Sequence, residues 1–488
     1  MNDAKQSIFT ETIDLISTRQ QSKRLHAFNQ DVMLDHDAVG LAQLIAKREI
    51  SAAEVCHAAI ERAKIMDPQL RAIQLPCFST ARAQSHQRSK GLFAGVPTFI
   101  KDNMDVKGLP TNFGSAAFTA KPAKITDPFV RQFLDQGFTV LGKTKMPEFG
   151  LNGSTEYRSQ ESTHNPWNSD YTAGGSSGGA AALVAAGVVP IAHGNDGGGS
   201  IRIPAACCGL VGLKATRGRF VNSIAARMLP INIISEGVLT RSVRDTAYFF
   251  AGMEQSYQNK KLKPIGLVER SGQKKLRIGV FFDSVYHQAD RETRETVESV
   301  AKQLEASGHY VSEMPLPINR QFVDDFTLYW GSLALVMSRL TGLFTGTQFD
   351  LNKVDNLTLG LAKLYQQDFY KTPAILYRLR KTEADYRAIF SNYDVILTPT
   401  IGHTTPKLGQ LSPKQSFEAI FDNLQKFACF TPFNNAAGGP AISLPVGMSE
   451  EGLPIGCQLM ANHGEERLLL ELAFELEQSM TWRKIYEA

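Results

Sequence analysis

Six cysteines in 488 residues, with no C-x-x-C pair and none of the ten histidines at ligand spacing, leave this chain without the makings of a structural zinc site. Cys56, Cys77, Cys207, Cys208, Cys429 and Cys457 offer no disulfide framework and suit a reduced compartment. Charge of either sign is not in excess: 52 Lys and Arg stand against 48 Asp and Glu, a net +4 with no general pull on nucleic acid. The short basic clusters Lys260 to Lys263 and Lys274 to Arg277 read as solvated surface. No apolar run approaches the ~20 residues needed to span a bilayer; the longest, Ala180 to Ala192, is broken by Gly187 and Pro190. Met1 to Arg24 is polar, mixes both charges and lacks the apolar centre of a secretion signal. These absences predict a cytoplasmic protein with no metal, no organic cofactor, no nucleic-acid partner and no membrane partner.

What is present is a large globular composition, 43% hydrophobic and 20% charged, enough to bury a sizeable core. Residues 1 to 37 read as an N-terminal helical extension. Two amphipathic helices follow before Pro68, the second capped by Ser51. Strands are expected from Ile73, at Val96 to Ile100 and at Phe138 to Gly142, with a helix over Pro128 to Gln136. A helix is expected over Ala180 to Ala186 and an apolar stretch at Val188 to Ala192. Leu276 to Phe282, Arg291 to Leu304 and Tyr310-Val311 form a strand–helix–strand unit. Phe322 to Tyr386 is helical and aromatic, and residues 315 to 390 read as a helical, substrate-facing insertion. Short strands at Tyr393 to Leu397 and Ala441 to Pro445 and a closing helix over Glu465 to Gln478 complete an α/β pattern.

Two glycine-rich runs carry the candidate chemistry. Gly174-Gly175-Ser176-Ser177-Gly178-Gly179 precedes Gly197-Gly198-Gly199-Ser200-Ile201-Arg202, and Lys101 ends the strand Val96 to Ile100 upstream. Consecutive glycines let the backbone turn sharply and bring N–H groups up to a reacting carbonyl, so Gly197, Gly198, Gly199 and Ser200 are candidate oxyanion-hole donors. A G-x-S-x-G match around Ser176 invites an α/β-hydrolase reading, but that elbow needs a strand just before it, and Asn165 to Ala173 is polar and turn-like. No histidine stands in a context that suits a Ser-His-Asp triad: His287 and His403 lie in unrevealing surroundings, and His193 sits before Ser200 on the strand side. Ser200, Lys101 and Ser176 instead supply a nucleophile, a base and a hydroxyl to carry the proton between them.

The chain resembles the amidase signature family over about residues 38 to 485. The matching blocks are Gly95-Val96-Pro97 with Lys101-Asp102-Asn103, Gly108 to Thr111, Gly114-Ser115, Gly142-Lys143-Thr144 with Pro147-Glu148-Phe149, Gly174 to Gly179, Asp196 with Gly198 to Pro204, and Gly209 to Lys214. Pro399-Thr400, Asn435 with Gly438 to Pro445, and Gly452 to Gly456 with Gln458 continue the series. The resemblance implies an amidase signature fold, with a large mixed central β-sheet covered by helices on both faces and one amidase domain over residues 38–488. It also implies a Ser–cis-Ser–Lys triad: Ser200 as nucleophile, Ser176 after a cis bond from Gly175, and Lys101 as base. Asp196 and Arg202 are implied as supporting, orienting residues.

Some positions depart from the commonest family form: Ala173, Asn195, Gly197 and Ile203. None is one of the three expected catalytic side chains, and they bear more on substrate than on reaction. The leading expectation is a hydrolase of a small-molecule carboxylic amide, linear or cyclic, working through an acyl-enzyme on Ser200, with a homodimer left open. The alternative is the glutamine-hydrolysing A subunit of a tRNA-dependent amidotransferase, and Ile203 counts against it. A non-enzymatic scaffold is a third reading, opposed by the presence of all three chemical parts.

Overall fold

A computed structural model describes residues 24–487. Much of the expected N-terminal extension, residues 1–23, lies outside the described residues. Residues 24–37 follow an irregular, turn-rich path up to Asp37, whose carboxylate caps the helix Ala38–Lys47 by accepting from the Gly40 N–H. The helix Ala52–Leu70 begins with a reciprocal capping box between Ser51 and Glu54. It runs through Pro68 instead of stopping before it, because Pro68 falls in the last turn: the helix ends two residues later at Leu70 and is closed by Arg71 in the left-handed conformation.

Three strands, β1 Ile73–Pro76, β2 Pro97–Lys101 and β3 Thr139–Thr144, form a small sheet in the order β1-β3-β2, with β2 parallel to β3. A short antiparallel pair, β4 His164–Asn165 and β5 Asn168–Thr172, leads into the first glycine–serine run, so a strand stands where the polar sequence reads as turn-like. The centre is an eight-stranded mixed sheet made of β6 Ile191–Asp196, β7 Val211–Lys214, β8 Ser235–Thr240, β9 Arg277–Val280, β10 Tyr310–Glu313, β11 Val395–Pro399, β12 Ala441–Met448 and β13 Pro454–Ala461. Their order across it is β10-β9-β11-β13-β12-β7-β8-β6. β9, β10 and β11 pair in parallel, as the strand–helix–strand pattern requires, and the remaining pairings are antiparallel. Every residue of β7, β8 and β13 is buried, so helices cover both faces there.

The small sheet carries the chain into the site. β2 is wholly buried and lies along the free edge of β6, where Thr98 Oγ1 donates to the Ile191 carbonyl at 2.9 Å. Lys101 is thereby delivered, at the last residue of a rigid strand, beside the strand that leads to Ser200.

The helix Gly178–Ala185 is built from small side chains, all buried, because it is pressed against backbone. A Cβ on Gly179 would fall within 2.6 to 2.7 Å of the Ala72 carbonyl oxygen and the Lys145 amide nitrogen and carbonyl oxygen. The helices Arg320–Thr345, Asn356–Asp368 and Thr372–Ile389 form a lobe whose Phe326, Tyr329, Ile375 and Leu379 share an apolar cluster with Ile231, Ile233 and Ala436 of the main body. Tyr386 ties the lobe to the main sheet by donating its hydroxyl to the Ala461 carbonyl at 2.7 Å.

Gly179→Ala therefore forces backbone apart at three points and is expected to cost about 2 kcal/mol or more, read as a fall of several degrees in the calorimetric melting temperature. An unchanged melting temperature would show that this close approach does not constrain the fold.

Candidate active site

The loop after β6 is folded around one carboxylate. Asp196 is fully buried and accepts the N–H groups of Gly199 at 2.7 Å and Ile201 at 3.2 Å. It also takes a two-pronged contact from Arg202, Nε at 2.9 Å and Nη2 at 2.8 Å. Burial opposes the charge on Asp196, but the Arg202 guanidinium and the Asn435 amide outweigh it and hold the carboxyl well below its ordinary range. Arg202 is itself fully buried and donates onward to Gln458 Oε1 at 2.6 Å, Asn435 Oδ1 at 2.7 Å and the Thr431 carbonyl at 3.1 Å. Thr431 Oγ1 closes the circuit by donating to the Gly198 carbonyl at 2.6 Å. Thr431, Asn435 and Gln458 thus clamp the loop from distant parts of the chain.

This clamp decides which amides remain free. Gly199 must be glycine: its φ is +129° and a Cβ would lie 2.3 Å from Thr431 Oγ1. Its N–H is committed to Asp196 and so is not an oxyanion donor in this structure, which narrows the expected set. Among the described residues, the N–H groups of Gly197, Gly198 and Ser200 have no acceptor. Gly197 and Gly198 are part-exposed, and a Cβ there would meet only Ile234 at 4.0 Å and Phe326 at 3.9 Å. Ser200 is part-exposed on the same loop, and its hydroxyl makes no hydrogen bond among the described residues.

Lys101 is fully buried, and its Nζ lies 2.7 Å from Ser176 Oγ, 2.9 Å from Ser177 Oγ and 2.6 Å from Asn195 Oδ1. The Gly175–Ser176 peptide bond is cis. Burial pulls the Lys101 ammonium down to about 7, with Glu236 and then Asp196 acting in the opposite direction. All three contacts are neutral oxygens, so no carboxylate touches the amine. Ser177 passes its own proton toward the Asn195 carbonyl at 3.3 Å. In the neutral amine, two N–H bonds are taken by Ser177 and Asn195, and the lone pair is left for the Ser176 hydroxyl.

The structure brings Lys101 to Ser176 and Asp196 to Arg202, as the sequence led one to expect. Ser177 and Asn195 are additional partners of Lys101; the doubled serine was the only local sign of the first. Cys207 and Cys208 lie on the helix Arg202–Cys208, immediately after the loop, but burial pushes the Cys207 thiol up to about 12 and the Cys208 thiol well above its ordinary range. Both remain protonated and poor nucleophiles.

A buried lysine beside hydroxyls, next to a loop with free backbone amides, supplies the parts that acyl transfer needs. The chain belongs to the amidase family, whose model, described as Amidase, matches residues 54–470. It is 46% identical over 466 residues to the provisional amidase AmiC of Mycobacterium leprae (strain TN), covering 95% of this chain and 99% of that one. A 6-aminohexanoate-cyclic-dimer hydrolase of Paenarthrobacter ureafaciens is 34% identical over 481 residues, covering 92% and 96% of the two chains. A solved structure of a 6-aminohexanoate cyclic dimer hydrolase complexed with substrate superposes with a TM-score of 0.82 at 31% identity, over 92% of this chain and 98% of that one. The A subunit of the glutamyl-tRNA(Gln) amidotransferase of Halothermothrix orenii is 31% identical over 472 residues, covering 91% and 97%.

Breaking the clamp from one side should be worse than removing it whole. Arg202→Met leaves the Asp196 charge buried and unpaired and is expected to cost about 3 to 5 kcal/mol, with part of that recovered in Asp196→Leu/Arg202→Met. Thermal unfolding of the single and double variants checks this; a double variant as unstable as the sum of the two single changes would refute the pairing.

Proposed function

We propose that the enzyme hydrolyses a small-molecule carboxylic amide, linear or cyclic, through an acyl-enzyme on Ser200. The observation that carries the reading is the fully buried Lys101 Nζ at 2.7 Å from Ser176 Oγ, with its ammonium held near neutrality, at about 7, by burial. In the proposed sequence the neutral amine accepts the Ser176 hydroxyl proton while Ser176 accepts that of Ser200. Ser200 Oγ then bonds to the amide carbon, and the carbonyl π electrons move onto oxygen. The free N–H groups of Gly197, Gly198 and Ser200 receive that oxyanion. Collapse breaks the carbon–nitrogen bond as the proton returns through Ser176 to the leaving amine. Water repeats the attack on the ester, giving the carboxylate and free Ser200. Asp196 and Arg202 act by holding the loop.

Substrate is proposed to approach along Gly197 and Gly198, where Ile234 and Phe326 present apolar surface. Phe326 stands on the helix Arg320–Thr345, which supports a substrate-facing role for the lobe. An amide with an apolar acyl or amine portion fits that wall better than a charged amino acid does. The glutamine-hydrolysing alternative has less support, since a lower identity joins this chain to the amidotransferase protein than to the provisional amidase. The six free cysteines are consistent with the cytoplasm as the proposed compartment. No helix among the described residues is long and apolar enough to cross a membrane.

Two expectations follow for a neutral amide substrate. Activity should rise with pH through about 7, because Lys101 protonated below that value cannot accept a proton and the amine freed above it can. Lys101→Met and Ser176→Ala should each lower kcat by about 10² to 10⁴-fold with KM little changed, and Lys101→Arg should not rescue, since a guanidinium stays protonated. Steady-state rates near those of the unaltered enzyme in either variant would defeat the proposed relay.

A further inference from the structure

The antiparallel pairing of β6 with β8 sets Asn195 opposite Glu236, and His193 lies two residues before Asn195 on the same face of β6. His193 is fully buried, with the rings of Phe129 and Phe133 at 5.4 and 5.8 Å between centroids. Its Nδ1 accepts the backbone N–H of Lys101 at 3.2 Å. The ring proton must therefore sit on Nε2, which faces Glu236 Oε2 at 3.3 Å and donates to it. One imidazole thus links the residue that carries the amine to a carboxylate that is only 6% exposed.

The charge balance around the amine singles out that carboxylate. Asp196 is matched by Arg202, and Asp102, next to Lys101 in the chain, is matched by Lys143 at 2.8 Å. Among the described residues, no lysine or arginine pairs with Glu236, and its side-chain partner is the His193 imidazole. Asp127, which caps the helix Pro128–Leu134, adds charge of the same sign nearby. The field of Glu236 on Lys101 exceeds that of Asp196, and both favour the ammonium against burial.

We propose that Glu236, acting through His193, is a positioning residue that fixes the end of β2 and sets the pH at which the Lys101 amine becomes free to accept a proton. The inference rests on the reading of Lys101 as the base. Neutralising Glu236 removes an anion that favours the ammonium, so deprotonation should begin at lower pH. Removing the imidazole takes the acceptor from the Lys101 amide and loosens the strand end, a loss expected in kcat more than in KM.

The test is the pH dependence of kcat/KM on a neutral amide from about pH 5 to about 10, in the unaltered enzyme, Glu236→Gln, His193→Leu, His193→Gln and Lys101→Met. Glu236→Gln keeps an acceptor for the imidazole and should move the rising limb down by about half a unit or more. His193→Leu should lower kcat about tenfold or more, and His193→Gln, which can both accept and donate, should recover part of it. A limb lost in Lys101→Met but unmoved in Glu236→Gln would overturn the inference alone. A limb that persists in Lys101→Met would remove the base assignment and the inference together. Should Glu236→Gln not fold, histidine-selective ¹⁵N NMR of the unaltered protein decides the linkage: an Nε2–H tautomer at His193 is expected, and an Nδ1–H tautomer overturns it.

Discussion

A lysine buried without a carboxylate in contact is the constraint on which the rest of the site depends. Lys101 Nζ is surrounded by Ser176, Ser177 and Asn195, all neutral, so desolvation is only partly offset and the ammonium is held near neutrality, at about 7. A carboxylate at the same distance would fix the ammonium and leave no lone pair for proton transfer. The fold keeps the buried pair beside the loop after β6, Asp196 with Arg202, bonded to itself and to backbone, Asn435 and Gln458. Anionic charge thus reaches the amine as a field and not as a contact.

That division of labour explains the shape of the loop after β6. Asp196 draws the N–H groups of Gly199 and Ile201 inward, while those of Gly197, Gly198 and Ser200 have no acceptor among the described residues. Thr431 reaches Gly198 from 233 residues further along the chain and fixes the carbonyl side of the same loop. The loop is therefore pre-organised by tertiary contacts, and on the proposed reading an oxyanion would meet donors already in place. The lobe sets Phe326 beside Gly198, and on the proposed reading that is the substrate-side wall.

The candidate residues were legible in the sequence wherever one short segment carried them. The two glycine–serine runs and the lysine at a strand end marked Lys101, Ser176, Ser200 and the turn at Gly197 to Gly199. Buried strands with helices between them signalled the α/β sheet through β9, β10 and β11. β7, β8 and β13 were harder to read because they are buried on both faces and lack polar–apolar alternation; β13, Pro-Ile-Gly-Cys-Gln-Leu-Met-Ala, also places Gln458 inside to meet Arg202. The contacts of Ser177, Asn195, Thr431 and Glu236 join segments far apart in sequence, and the inward turn of the Gly199 amide depends on the Asp196 side chain. No local pattern encodes either.

The central claim is that the neutral Lys101 amine, through Ser176, makes Ser200 the nucleophile. It is tested most directly by trapping the covalent species with a fluorophosphonate or a slowly deacylated amide and mapping it by peptide mass spectrometry. The account predicts one adduct, on Ser200, formed more slowly in Lys101→Met and absent in Ser200→Ala. An adduct on Ser176 or on a cysteine, with Ser200 unmodified, would contradict it.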